Sequence, residues 1–352
     1  MAFLTYQGIG ITAMAAAVPK QIINNYEYTQ HFPADQVKEV VDKVGIFERR
    51  FADENTCSSD LCFAAAEKLI ADNNIDRSEI DLLIFISQTP DYRMPATSII
   101  LQHRLGLSGS CIAFDINLGC SAFMYGLSVA YGMMQGGHIR KALILDGETR
   151  SKVYSPRDRR SAFIFGDAGV AALLECNEKF GRSYFSLNSD GSRADLIMIK
   201  GGGYRHMSSI ETLQEKVVDE YGNIRSDEHG YMNGADVFNF VIREVPRDIK
   251  KTLAFAEKST DSLDYIIFHQ ANNFINSYIA KKMKLDMTKI PSTIEKYGNT
   301  SSVSVPLTIV SELKEKMAGN KELLMSAFGV GMTWATGIVP FVDCKISDIV
   351  EV

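Results

Sequence analysis

Three residues have the chemistry and the placement to act as reacting groups: Cys120, His269 and Asn299. Cys120 follows Asp115-Ile116-Asn117-Leu118-Gly119, where a strand pattern gives way to a helical one. A cysteine on the first turn of a helix sits among unpaired N–H groups at the positive end of the macrodipole, and both effects lower a thiol's pKa. Cysteine is also among the most buried residue types, so position alone leaves a nucleophile and a packing residue both open. His269 ends the apolar pattern YIIFH and precedes Gln270-Ala271-Asn272-Asn273. That is the carboxyl end of a buried strand, where open α/β sheets hold their ligands, although a satisfied core histidine fits the same segment. Asn299, within Tyr297-Gly298-Asn299-Thr300-Ser301-Ser302, reads by itself as a turn and a helix N-cap cluster. The run Phe328-Gly329-Val330-Gly331-Met332 is a tight glycine turn between two strands, and such a turn can aim backbone N–H groups at a developing oxyanion.

The elements that must position these residues alternate along the chain. Short β-rich runs are expected at Gly8 to Ala17, Asp81 to Ser87, Cys111 to Ile116, Ala142 to Asp146 and Ala168 to Glu175. Helical patterns cover Asp60 to Asp72 and Cys120 to Gln135. The second half repeats the scheme, with helices over Val237 to Phe255, Asn272 to Met283 and Ser304 to Met317. Its strands are expected at Tyr265 to Phe268, Leu323 to Ser326 and Thr336 to Val342. This is α/β patterning with a largely parallel sheet. A glycine turn closes each half, Phe165-Gly166-Asp167 in one and Phe328-Gly329 in the other, which suggests an internal pseudo-repeat. The polar, glycine-rich stretch from Lys200 to Gly230 reads as a long surface excursion.

Composition narrows the class. With 352 residues, 46% of them hydrophobic and 23% charged, the chain can bury a large core. The net charge of -6, with acids and bases mixed, lacks the clustered cations of a nucleic-acid footprint. No run reaches the roughly 18 apolar residues of a membrane helix, and the N-terminal segment lacks the basic start of a signal peptide. Cys57, Cys62, Cys111, Cys120, Cys176 and Cys344 show neither CxxC pairing nor a nearby histidine partner. Reduced cysteines in a cytoplasmic enzyme, with no metal site, are therefore the expectation.

Taken together, DINLGCSAF, FGDAGVAALL, MNGADVFNFVIREV, FHQAN, YGNTSSVSVP and AFGVGMTW occur in the order and approximate spacing of the β-ketoacyl-acyl-carrier-protein synthase III family. The chain resembles that family from GIFERRFA at Gly45 to its final strand. The resemblance implies a thiolase-like, duplicated five-layer αβαβα fold, normally a homodimer. Residues 1–180 would form the half carrying the nucleophile and residues 181–352 the half carrying the histidine and asparagine. Carried over position by position, Cys120 matches the acyl-accepting nucleophile, His269 the catalytic histidine and Asn299 the catalytic asparagine. The backbone N–H groups of Cys120 and Val330 would form the oxyanion hole. The family's reaction transfers an acyl group from a coenzyme A or carrier-protein thioester to cysteine. A decarboxylative Claisen condensation with malonyl-acyl-carrier protein follows. It needs no cofactor beyond these substrates.

Several positions depart from the family pattern. Val330 stands where a middle glycine is usual, and Ala122 where a glycine often follows the nucleophile's neighbour. Met94 occupies the position of the aromatic residue that lines the acyl pocket across the dimer. At the mouth, the tryptophan and arginine that sandwich the adenine of coenzyme A align with Glu39 and Lys43, and the arginine after HQAN is Phe274. Arg159 survives as a match to another coenzyme A contact. Loss of an indole and a guanidinium weakens the handle for coenzyme A. Passage of the acyl group to an oxygen or nitrogen acceptor is thus a second reading. A non-catalytic subunit of the same fold is a third, and retention of Cys120, His269 and Asn299 argues against it.

Overall fold

In the computed structural model, which describes residues 2–352, the alternating runs form one strand pattern twice. The first set is β1 (Ile9–Val18), β2 (Leu82–Ile86), β3 (Ile112–Ile116), β4 (Lys141–Thr149) and β5 (Asp167–Cys176), ordered β3-β2-β4-β5-β1. Here β2 is parallel to β3 and β4, and β5 is antiparallel to both β4 and β1. The second set is β6 (Arg182–Ser189), β7 (Tyr265–Phe268), β8 (Asn320–Gly329) and β9 (Thr333–Ile346), ordered β7-β8-β9-β6. One parallel pair followed by two antiparallel ones repeats the succession β2-β4-β5-β1 of the first set. The two sets meet where β9 pairs with β1 at Phe341 and Ile11. The segment Ala2–Gln7 adds an antiparallel edge beside β6.

Seven helices cover and separate the sheets: α1 (Ala34–Val44), α2 (Ser58–Asn73), α3 (Thr97–Arg104), α4 (Ala122–Met134), α5 (Gly234–Phe255), α6 (Asn273–Met283) and α7 (Ser304–Leu313). Period-two alternation shows how the layers stack. In β2, Leu82, Ile84 and Ile86 pack with α4 and α7, whereas Leu83 and Phe85 face α2 and α3. Burial on both faces explains the unbroken apolar run DLLIFIS. In the second sheet, Ile267, Leu323 and Met325 turn toward the same central helices, while Ile266, Phe268 and Leu324 face α5 and α6. The result is helices, sheet, helices, sheet, helices, the five-layer thiolase-like architecture. Helix α4 is apolar all round because it lies between two sheets, with Met124, Leu127 and Tyr131 fully buried. Helix α7 is equally buried, and its Pro306 falls in the first turn, where the missing N–H has no helical acceptor to lose.

Element ends moved from their sequence-based positions for local reasons. The strand expected over Gly8 to Ala17 runs Ile9–Val18, and Gly8, at a φ of +72°, separates it from a further strand, Ala2–Gln7, that was not expected. The helix expected from Cys120 begins at Ala122, with Ser121 as its cap, so Cys120 lies ahead of the helix and not on its first turn. The helix expected to reach Met317 ends at Leu313 and tightens into a 3-10 turn over Lys314–Lys316. The Lys200 to Gly230 excursion carries a short helix, Ile210–Leu213, and a two-stranded ladder of Lys216–Val217 with Ile224–Arg225. Among the described residues, no helix is long and apolar enough to cross a membrane.

Because α4 supports both sheets, shortening one of its buried side chains leaves a void that neither sheet can close. Leu127→Ala is expected to destabilise the protein by about 2–5 kcal/mol, seen as a lower urea midpoint with an unchanged m-value.

Candidate active site

Two loop motifs from opposite halves are laced together beside the reacting groups. The Asn299 N–H donates to Ile164 O at 2.9 Å, and the Gly166 N–H donates to Asn299 O at 3.1 Å. Such close backbone contact needs glycine on both sides. A Cβ on Gly166 would stand 2.3 Å from Tyr297 O, and one on Gly298 would stand 2.7 Å from Ile164 O. FGD in the first half and YGN in the second are therefore two edges of a single backbone joint.

Cys120 is only 6% exposed, and its Sγ lies 3.6 Å from Ser301 Oγ. Gly329 passes so close that a Cβ there would fall 2.7 Å from Cys120 Cβ and 2.8 Å from its Sγ. Val330 finds room because its neighbour Gly119 has no side chain, where a Cβ would meet Val330 Cβ at 2.8 Å. The expected depression of the thiol pKa is not what the environment produces. Burial pushes the Cys120 thiol up, and the Arg150 charge and the Ser301 hydroxyl recover only part of that shift. Desolvation disfavours the thiolate, and it is the largest of these effects.

His269 is 2% exposed at the carboxyl end of β7, with its ring edge-to-face against Phe328. Its Nδ1 lies 2.7 Å from Ser304 Oγ, which also accepts the Gln270 N–H at 3.2 Å. Burial pushes its pKa down to about 3; a contact with the Ser301 backbone opposes this, and the Arg150 charge reinforces it. The ring is therefore neutral at physiological pH. With Nδ1 engaged, Nε2 is the nitrogen left for a substrate. Asn299 Oδ1 accepts the Ser301 N–H at 2.9 Å, which leaves its Nδ2 to donate elsewhere. The capping role read from the sequence and a substrate-facing role thus coexist on one amide.

Cys120, His269, Asn299, Gly329 and Val330 line one cavity of about 70 Å³. It opens into a mouth of about 830 Å³, and the two share Ile164, Met232, Gly234, Asn272 and Ile275. The mouth brings together Glu39, Lys43, Arg159 and Phe274. Arg159 donates to Gln36 Oε1 at 3.0 Å, and the half-exposed Phe274 stacks on Phe238. Met94 is not brought there by its own chain: it is 76% exposed and lines neither space.

Sequence reasoning missed Arg150, Tyr154, Ser301 and Ser304, together with the acids behind them. A signal for the acids was present. In β4, Ala142, Ile144, Asp146 and Glu148 share one face, and its apolar members point to the central helices. Two acids on an interior face need buried partners. Asp146 Oδ1 accepts the Ser302 hydroxyl at 2.6 Å, and Glu148 accepts the Gln88 N–H at 3.2 Å and the Thr89 hydroxyl at 3.0 Å.

Two outcomes follow from this geometry. Because the thiol titrates above its usual range, alkylation of Cys120 by iodoacetamide should rise about tenfold per pH unit between pH 6 and 8, followed by peptide mass mapping. Gly329→Ala should change the rate of that alkylation by about tenfold or more, since a methyl group displaces the sulfur, with circular dichroism unchanged.

Known proteins share both the sequence and the architecture. Residues 114–191 match the family model for 3-oxoacyl-[acyl-carrier-protein (ACP)] synthase III, and residues 253–341 match that for its C-terminal part. A β-ketoacyl-[acyl-carrier-protein] synthase III of Streptococcus pneumoniae (strain Hungary19A-6) is 34% identical over 333 residues, covering 94% of this chain and 98% of that protein. A 3-oxoacyl-(acyl-carrier protein) synthase from Burkholderia xenovorans LB400 superposes with a TM-score of 0.93 at 37% identity, over 100% of this chain and 99% of that one. The Thermus thermophilus β-ketoacyl-[acyl carrier protein] synthase III gives 0.81 at 29% identity, over 94% and 98%. Agreement in sequence along nearly the whole length, on the same five layers, makes the chain a member of the 3-oxoacyl-[acyl-carrier-protein] synthase III family.

Proposed function

We propose that Cys120 accepts the acyl group in this family's condensing reaction and that His269 and Asn299 stabilise the enolate of a malonyl thioester. The observation that carries this reading is the shared cavity, which holds one thiol and two neutral groups with open nitrogens, Nε2 of His269 and Nδ2 of Asn299. In the first half-reaction the Cys120 sulfur bonds to the acyl carbon. The tetrahedral oxyanion is held by the N–H groups of Cys120 and Val330, and the donor thiol leaves with the proton from Cys120. In the second, the malonyl carboxylate departs as carbon dioxide and its electron pair becomes an enolate on the thioester. Donors from His269 and Asn299 meet that charge. The enolate carbon then attacks the acyl group, and Cys120 leaves as thiolate and regains a proton. Neutral donors suffice in a dry cavity, where each hydrogen bond is stronger than in water.

The mouth supports a long, thin thioester arm. Lys43, Arg159 and Arg160 give it positive charge for a phosphate, while Phe274 and Phe238 replace an expected cation with an aromatic ledge. This weakens the handle for coenzyme A, and the donor is an acyl-coenzyme A or acyl-carrier-protein thioester. The exposure of Met94 supports a homodimer in which it reaches the partner's acyl space. The repeated strand order supports halves of 1–180 and 181–352. A cytoplasmic setting, with no cofactor beyond the thioester substrates, completes the reading.

The test separates the two half-reactions. Acyl-coenzyme A and acyl-carrier protein are each incubated with the protein, which is then weighed intact. An adduct is expected that Cys120→Ala abolishes, and its absence with every thioester would refute the reading. His269→Ala and Asn299→Ala should keep the adduct yet lose about a hundred- to a thousandfold in carbon dioxide release from malonyl-carrier protein. The wild-type rate of that release should show no imidazole limb near pH 6.5, because His269 stays neutral down to about pH 3. A stable adduct with no carbon dioxide would point instead to an oxygen or nitrogen acceptor.

A further inference from the structure

A guanidinium stands in the cavity where an acyl chain must lie. Arg150 is 4% exposed and lines the same cavity as Cys120. Its Nη2 lies 3.1 Å from the Tyr154 hydroxyl, and its Nη1 makes a long contact of 3.4 Å to Gln88 Oε1. Its Nε is buried without any partner. Among the described residues, no carboxylate oxygen comes within ion-pairing reach of it, whereas Arg225 closes on Asp158 at 2.8 Å. Glu148 and Arg150 favour each other's charge, but Glu148 forms no ion pair with it and directs its oxygens to Gln88 N–H and the Thr89 hydroxyl. The fork is nonetheless held in place. Its central carbon lies 5.4 Å from the Tyr154 ring and 5.6 Å from the Phe165 ring, and those rings are stacked 3.9 Å apart at 7°. A rigid, buried guanidinium with an unused donor is a carboxylate receptor lacking its carboxylate.

Its place relative to the nucleophile sets the length of the ligand. Gln88 Oε1, which touches Arg150, would also lie 3.1 Å from a Cβ on Gly119, the residue before Cys120. The cavity beside them is small, about 70 Å³. Only a short chain fits between sulfur and guanidinium. An all-carbon acyl tail there would leave the buried Nε donor of Arg150 without a partner, a strong form of discrimination.

We propose that the acyl group loaded on Cys120 is a short ω-carboxyacyl group, a dicarboxylic acid half-thioester, whose free carboxylate pairs with Arg150 beside Tyr154 and Gln88. This rests on the reading of Cys120 as the acyl acceptor. The exchange balances as any thioester transfer does. The Cys120 S–C bond forms, the donor's S–C bond breaks, the donor thiol leaves with the proton, and the distal carboxylate is unchanged.

Intact-mass time courses compare succinyl and glutaryl thioesters with butyryl and pentanoyl thioesters of the same chain length. Each is presented both as coenzyme A and as carrier-protein conjugates. In the wild type the carboxylated donors should load Cys120 about a hundredfold faster than their apolar counterparts. Arg150→Leu should reverse that preference, and Tyr154→Phe should reduce it. Equal or faster loading by the apolar donors in the wild type overturns the proposal without any variant having to fold. An Arg150→Leu protein slowed equally with all donors also overturns it, because the guanidinium would then act on the thiol and not on the chain. Failure of every donor to label Cys120 removes the acyl-enzyme reading itself, and is thereby distinguished from failure of this specificity.

Discussion

The central layer places the starts of two fully buried helices at one point, and that constraint shapes everything around it. Helix α4 begins just after Cys120, and α7 just after the Asn299-Thr300-Ser301 turn. Each helix start carries N–H groups with no helical acceptor, and here no bulk water reaches them. At α4 the turn's own carbonyls answer, with Gly119 O accepting the Ala122 N–H and Ser121 O that of Met124, and side chains tie the two starts together. Asp146 takes the Ser302 hydroxyl, Asn299 takes the Ser301 N–H, and Ser304 bridges to His269 and Gln270. Ser301 itself adopts a left-handed conformation at φ 57°, strain that its surroundings sustain. Its hydroxyl thereby meets the Cys120 sulfur.

Burial also fixes the protonation states. The same desolvation raises the Cys120 thiol and lowers His269, so both groups rest in neutral forms. A site built this way does not hold a thiolate–imidazolium pair in waiting. It offers uncharged donors whose strength comes from the low local dielectric, which suits a reaction whose critical charge appears on a thioester oxygen and then disperses. Arg150 is the exception, a buried guanidinium with no ion pair and an open Nε donor, and for that reason it is the feature that most demands a ligand.

Much of the site's backbone was readable in the sequence because glycine has few reasons to recur. Gly166, Gly298 and Gly329 each stand where another chain passes within reach of a missing Cβ. The apolar runs likewise announced two-faced burial: DLLIFIS is continuous because both sides of β2 are covered. Other features were ambiguous for physical reasons. YGNTSS reads as a cap from its local pattern because Asn299 does cap, and nothing within the segment shows where its free nitrogen points. Cys120 looked like a first-turn cysteine because the strand and helix patterns abut. Only the folded chain shows a turn between them.

By itself, the sequence determined the alternation of elements and the duplicated scheme, and it singled out Cys120, His269 and Asn299, which the fold brings to one cavity, since these depend on short-range periodicity and on motifs a few residues long. Tertiary structure alone decided the electrostatics. Desolvation and pairing depend on groups brought together from far along the chain, as when Ser302 meets Asp146 or Ser301 meets Cys120. It also decided what the first-half segment ETRSKVY does. In the sequence Arg150 is one cation among 37 lysines and arginines. Packing against Tyr154 and Phe165, beside Cys120, makes it a buried charge facing the acyl cavity.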